Sequence, residues 1–77
     1  MGKKTFHFPV VIEQDEDGWL VATVPSLRGC HTQARTLAEL DERIREAVAL
    51  CVEAEAARDA VITQNKFVGV HEMEIAV

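Results

Sequence analysis

Basic residues are scarce in this chain: eight Lys and Arg stand against thirteen Asp and Glu, a net charge of −5. Direct nucleic-acid binding needs clustered cations on phosphates, and the one adjacent basic pair is Lys3-Lys4, so the composition argues against that class. Long apolar runs are also missing. No stretch approaches the roughly 20 residues that span a bilayer, and the N-terminus lacks the charged and apolar regions of a signal peptide. A cytoplasmic protein is the expectation. Cysteine is limited to Cys30 and Cys51, one in a strand-like and one in a helix-like stretch. Both are expected as buried free thiols, small hydrophobes in effect. With 77 residues the chain makes a single domain, residues 1–77, with a modest core and marginal stability. Self-association is then the expected source of additional stability.

What is present is a dense run of structural signals. Residues 5–13 alternate, with Phe6, Phe8, Val10 and Ile12 on one side, and predict a strand; Pro9 makes it an edge or bulged strand. Residues 14–18 form a turn ending in Asp17-Gly18, a strong hairpin signal. Residues 19–24 predict a second strand with apolar residues on both faces: Leu20, Ala22 and Val24 on one, Trp19 and Val21 on the other. Pro25 stops it, residues 25–29 connect, and residues 30–34 predict a third strand in an antiparallel meander. Thr36-Leu37-Ala38-Glu39 fits a capping box that opens a helix to about residue 57. Its apolar stripe is Leu37, Leu40, Ile44, Ala47, Val48 and Cys51. Residues 61–66 predict a link and residues 66–77 a final strand, parallel to the first and on its edge. The expected class is α+β, in the order β-β-β-α-β. One helix covers one face of such a sheet. Trp19, Val21 and Val11 would then share an uncovered apolar side.

In this order, the elements resemble HicB-like antitoxins. The resemblance runs from about Phe6 to Cys51. It rests on the apolar first strand, Asp15 to Gly18 followed by Trp19, Val21-Ala22, Pro25-x-Leu27-x-Gly29-Cys30, Thr32-Gln33, Thr36-Leu37-x-Glu39 and Arg45-Glu46-Ala47. Ser26, Arg28, Ala34 and Leu40 depart from the family's usual residues. The resemblance implies a partial ribonuclease-H-like β-β-β-α-β fold without that enzyme's active site. It further implies an antitoxin that neutralises a HicA-like toxin, a small basic mRNA-cleaving protein. Many members add a C-terminal DNA-binding segment; no such segment is read here, so partner neutralisation is implied without operator binding.

The side chains themselves point the same way. Asp15, Glu16 and Asp17 sit in a turn, Glu13 and Glu74 near strand ends, and Glu39 in a cap, so they do not form a converging two-metal site. Cys30-His31 are strand neighbours facing opposite sides, and His7, Cys51 and His71 lack zinc-site spacing. No catalytic residue, metal or cofactor is expected, and the chain is not expected to be an enzyme. The candidate interface is Trp19, Val21 and Val11 on the sheet, with Glu42 and Glu46 on the helix. Trp19 has a second reading, as a residue that closes the core beside the hairpin. A stand-alone oligomeric regulatory or small-molecule-binding module of the same fold is the alternative function.

Overall fold

The computed structural model describes residues 5–58, 62 and 64–77. The Lys3-Lys4 pair and parts of the expected 61–66 link lie outside the described residues. Three strands, β1 (Val11–Gln14), β2 (Leu20–Thr23) and β3 (His31–Ala34), precede one helix, α1 (Leu37–Ala57). The strands form one antiparallel sheet in the order β1-β2-β3. Ile12 stands opposite Ala22, and Ala22 opposite Thr32. The α+β class, the meander and the amphipathic helix are those the sequence predicts.

Local chemistry fixes the turns. The Asp15 carboxylate accepts from the backbone N–H of Asp17 at 3.0 Å and of Trp19 at 2.9 Å, and Gly18 takes φ +86°. An aspartate that bonds its own backbone two residues on is a common turn device, and glycine admits positive φ without steric penalty. The second connection closes through Val24 N–H to Cys30 O at 2.9 Å and Cys30 N–H to Leu27 O at 3.2 Å, with Gly29 at φ +69°. It turns Leu27 inward, where it is buried. Thr36 caps α1: its hydroxyl accepts from the Glu39 N–H at 3.2 Å, satisfying an orphan donor of the first turn.

The buried core comprises Ala22, Val24, Leu27, Cys30, Ala34, Leu40 and Ile44. Phe8, Leu20, Ala47, Val48, Cys51, Val52 and Ile62 pack partly buried around it. Helix α1 lies mostly over β3 and reaches β2, without a close backbone approach to β1. Arg43 fastens it, Nη1 donating to the Gln33 carbonyl at 2.8 Å. This offset placement explains a departure from the expected stripe. Leu40 is 1% exposed, whereas Leu37, three residues earlier, is 63% exposed because no strand lies beneath it.

Two expected strands come out differently. The first runs over Val11–Gln14 instead of residues 5–13; residues 5–10 carry no ladder, and Pro9 has no N–H to offer one. The fourth strand is not seen. Residues 66–77 carry no strand and stay exposed, with Phe67, Val68, Val70, Met73 and Ile75 all in solvent. A strand exists only against a backbone partner, and among the described residues this segment has none.

Candidate functional site

The sheet has one face under α1 and one open. Ala22 points to the helix, so alternation sends Val21 and Thr23 to the open side; the register adds Glu13 and Val11 from β1 and Gln33 and His31 from β3. Trp19, two residues before Val21, shares this side. Val11, Trp19 and Val21 are half-buried, while Glu13, Thr23, His31 and Gln33 are exposed. The open face is therefore a short apolar strip inside a polar frame.

Trp19 is held in place. The Arg35 guanidinium carbon lies 3.9 Å from the centre of its ring, and Arg35 Nη1 donates to the Asp17 carbonyl at 3.0 Å. One cation thus covers the indole and braces the hairpin turn, a contact worth about 0.5–1 kcal/mol at an exposed site. Sequence reading missed Arg35. The signal lay in the register: Leu20 pairs with Ala34, so Trp19 and Arg35 are the next residues across the ladder.

Glu42 and Glu46 lie on the opposite surface of the molecule. With Glu53 they form the outer ridge of α1, a turn or two apart, on the side away from Leu40 and Ile44. Their neighbours are paired: Arg43 with Glu39 at 3.8 Å and Arg45 with Asp41 at 2.9 Å. Among the described residues, Glu42, Glu46 and Glu53 make no ion pair, so the ridge keeps its negative charge. The five expected interface residues therefore divide into an aromatic–aliphatic strip on the sheet and an acidic ridge on the helix. No single flat partner covers both.

Residues 25–28 line a cavity of about 630 Å³ with Glu55, Arg58 and Ile62. Arg58 is paired with Glu55. Ser26 is a tether in this fold. Its Oγ accepts from the Asn65 N–H at 3.2 Å, while the His7 N–H donates to Gln64 Oε1 at 2.6 Å. Residues 64 and 65 are thereby tied to the body just before the exposed arm begins.

Nucleophilic chemistry finds little to use. Cys30 and Cys51 are free thiols. Burial, then a hydrogen bond and charge repulsion with Cys51, push the Cys30 thiol up to about 11, so it stays protonated and unreactive near neutrality. Asp15 is occupied as a turn acceptor. His31 is exposed beside buried Cys30, and among the described residues no group of three His, Cys, Asp or Glu could hold a metal ion. Nor, among them, is any helix long and apolar enough to cross a membrane.

Comparison with known proteins bears on what such surfaces serve. A family described as "HicB_like antitoxin of bacterial toxin-antitoxin system" matches residues 8–74. A UPF0150 protein of Archaeoglobus fulgidus is 47% identical over 68 residues, covering 88% of this chain and 93% of that protein. A UPF0150 protein of Synechocystis is 35% identical over 75 residues, covering 97% of this chain and all of that one. The match takes in the capped helix, both turns and most of the exposed arm, and on it the chain belongs to the HicB-like antitoxin family.

Proposed function

We propose that this chain is a non-catalytic antitoxin that binds and neutralises a small, basic, HicA-like mRNA-cleaving toxin in the cytoplasm, and that it works as a homo-oligomer. The observation that carries the reading is the family match across residues 8–74. The net charge of −5 and the unpaired Glu42–Glu46–Glu53 ridge support it, since a basic RNA-binding surface is drawn to such a ridge and steered onto it. The low reactivity of Cys30 and the turn role of Asp15 favour binding over chemistry.

Co-expression tests it. A short basic reading frame beside this gene is expected to arrest growth when expressed alone, and this protein is expected to restore growth and co-purify with its product. Glu42→Lys with Glu46→Lys should slow association at least tenfold at low salt, with a smaller effect at high salt. Failure to bind or rescue overturns the toxin reading and leaves a stand-alone module of the same fold.

A further inference from the structure

The two edges of the sheet are finished differently. At β3, the Gln33 carbonyl is taken by Arg43 from the helix. The alternation of antiparallel bonds explains why it is available. Val24 N–H bonds Cys30 O, so the 21–33 pair lies between bonded pairs and turns its peptide groups outward. At β1 nothing equivalent is present among the described residues. Asp15 N–H bonds Trp19 O, so residues 13 and 11 bond β2 and the Ile12 peptide groups face the free edge. An open edge of this kind is a template for another strand.

Beside that edge lies an apolar groove. It opens because α1 is offset toward β3, leaving Ile12 52% exposed next to Leu37. One part, about 360 Å³, is lined by Val10, Ile12, Leu37, Leu40 and Ile44. It continues past Val10 and Ile44 into a second, about 640 Å³, lined by Phe6, Phe8, Val48 and Val52 together with the Arg45–Asp41 ion pair and Glu53. From Leu37 to Val52 the helix rises about 22 Å, the length of about seven residues of extended chain.

The exposed arm has the matching pattern. Met73, Ile75 and Val77 alternate with Glu72, Glu74 and Ala76, with Phe67 in phase with the apolar set. That is the pattern of a strand with one face in a core and one in water. The arm does not lie in its own groove: it leaves the body beside residues 6–9 and stays in solvent.

We propose that residues 67–77 of one copy pair with β1 of a second copy as its fourth strand, placing Met73 and Ile75 in the groove against Ile12 and Leu37, with the exchange reciprocal. This deepens the self-association part of the proposed function and rests on it. Two arms, each about half buried against an equal area of groove, remove on the order of 2,000 Å² from water, within the range of stable interfaces. A two-fold exchange fills both grooves and leaves no unmatched arm.

Light scattering on the full chain tests the proposal with variants at residues exposed in the single chain, which leave the core intact. Wild type is expected at twice the 8.5 kDa chain mass. Met73→Asp with Ile75→Asp, lacking a usable arm, and Ile12→Asp, lacking a usable groove, should each fall to the single-chain mass with unchanged far-ultraviolet circular dichroism. Leu37→Glu serves if Ile12→Asp does not fold. Mixing the arm variant with the groove variant should restore a dimer, because one intact arm then meets one intact groove. Amide exchange across residues 67–77 should be slowed only at concentrations where the dimer forms. A dimer indifferent to both variants overturns the exchange while leaving self-association standing. A wild-type monomer overturns both. Arm protection independent of concentration shows the arm in its own groove and refutes the exchange.

Discussion

Replacing Leu40 by alanine tests the packing logic most directly. Leu40 is 1% exposed and is among the largest side chains fully enclosed, surrounded by the core residues of β2, β3 and the Pro25–Gly29 connection. Truncating a leucine so placed costs the lost transfer energy plus a cavity, about 2.7–5 kcal/mol. A domain of this length has in all about 4–12 kcal/mol of stability, so this one change removes a large fraction. Leu50 lies on the same helix and is 66% exposed, so Leu50→Ala should cost less than about 0.5 kcal/mol. Urea unfolding followed by far-ultraviolet circular dichroism, at one fixed protein concentration, separates them. With a slope of about 1 kcal/mol per molar, the Leu40 variant should shift its midpoint by about 3 M, or be unfolded without denaturant. The fixed concentration matters because any association adds to apparent stability. If the two variants unfold within about 0.5 kcal/mol of each other, Leu40 is not the anchor of α1 and the assigned helix phase is wrong.

Three further outcomes follow from local contacts. Arg35→Met removes the cation over Trp19 and the bond to the Asp17 carbonyl; it should cost about 1 kcal/mol and shift tryptophan emission, and an unchanged spectrum would refute the clamp. Thr36→Ala should lower stability by about 1 kcal/mol and Thr36→Asp should restore it; equal losses in both would mean that the cap is not the cause. Cys30 links folding to alkaline pH. Its thiol is held near 11 in the folded chain, chiefly by burial, against 9.0 ordinarily. The neutral thiol is favoured by the fold, so this contribution is intact below pH 9 and is lost as pH rises to about 11, up to about 3 kcal/mol in all. Wild type should therefore lose stability more steeply than Cys30→Ala across that window; parallel curves would refute the linkage.

Much of this architecture could be read from residues alone, because its signals are local. Asp17-Gly18, Pro25, Gly29 and the Thr36–Glu39 cap each act within four residues, and each turn or cap stands where the sequence predicts. The open face was legible too, since Trp19, Val21 and Val11 follow from alternation and hairpin register. What escaped depends on partners distant in the chain. Leu37 belongs to the helical stripe by spacing, yet spacing does not say which strands the helix crosses, and α1 misses β1. Arg35 has no local signal; only the pairing of Leu20 with Ala34 brings it to Trp19. The expected fourth strand has the right alternation, and among the described residues it has no backbone partner. Glu42 and Glu46 fall on the helix by sequence, but that they lie across the molecule from Trp19 follows only from the side of the sheet the helix takes.

Among the described residues, every buried core residue falls between Ala22 and Ile44, a stretch of 23 positions. The loops that must close to form this core are therefore short, and short loops close with little entropy loss and fast kinetics. A hairpin and the first two turns of α1 can condense as one nucleus, with β1 zipping on from the N-terminal side and the rest of the helix extending from a formed end. During synthesis all of these core residues are available once residue 44 has cleared the ribosome. The exposed apolar arm follows every buried core residue in the sequence, so it is made after the residues that form the core.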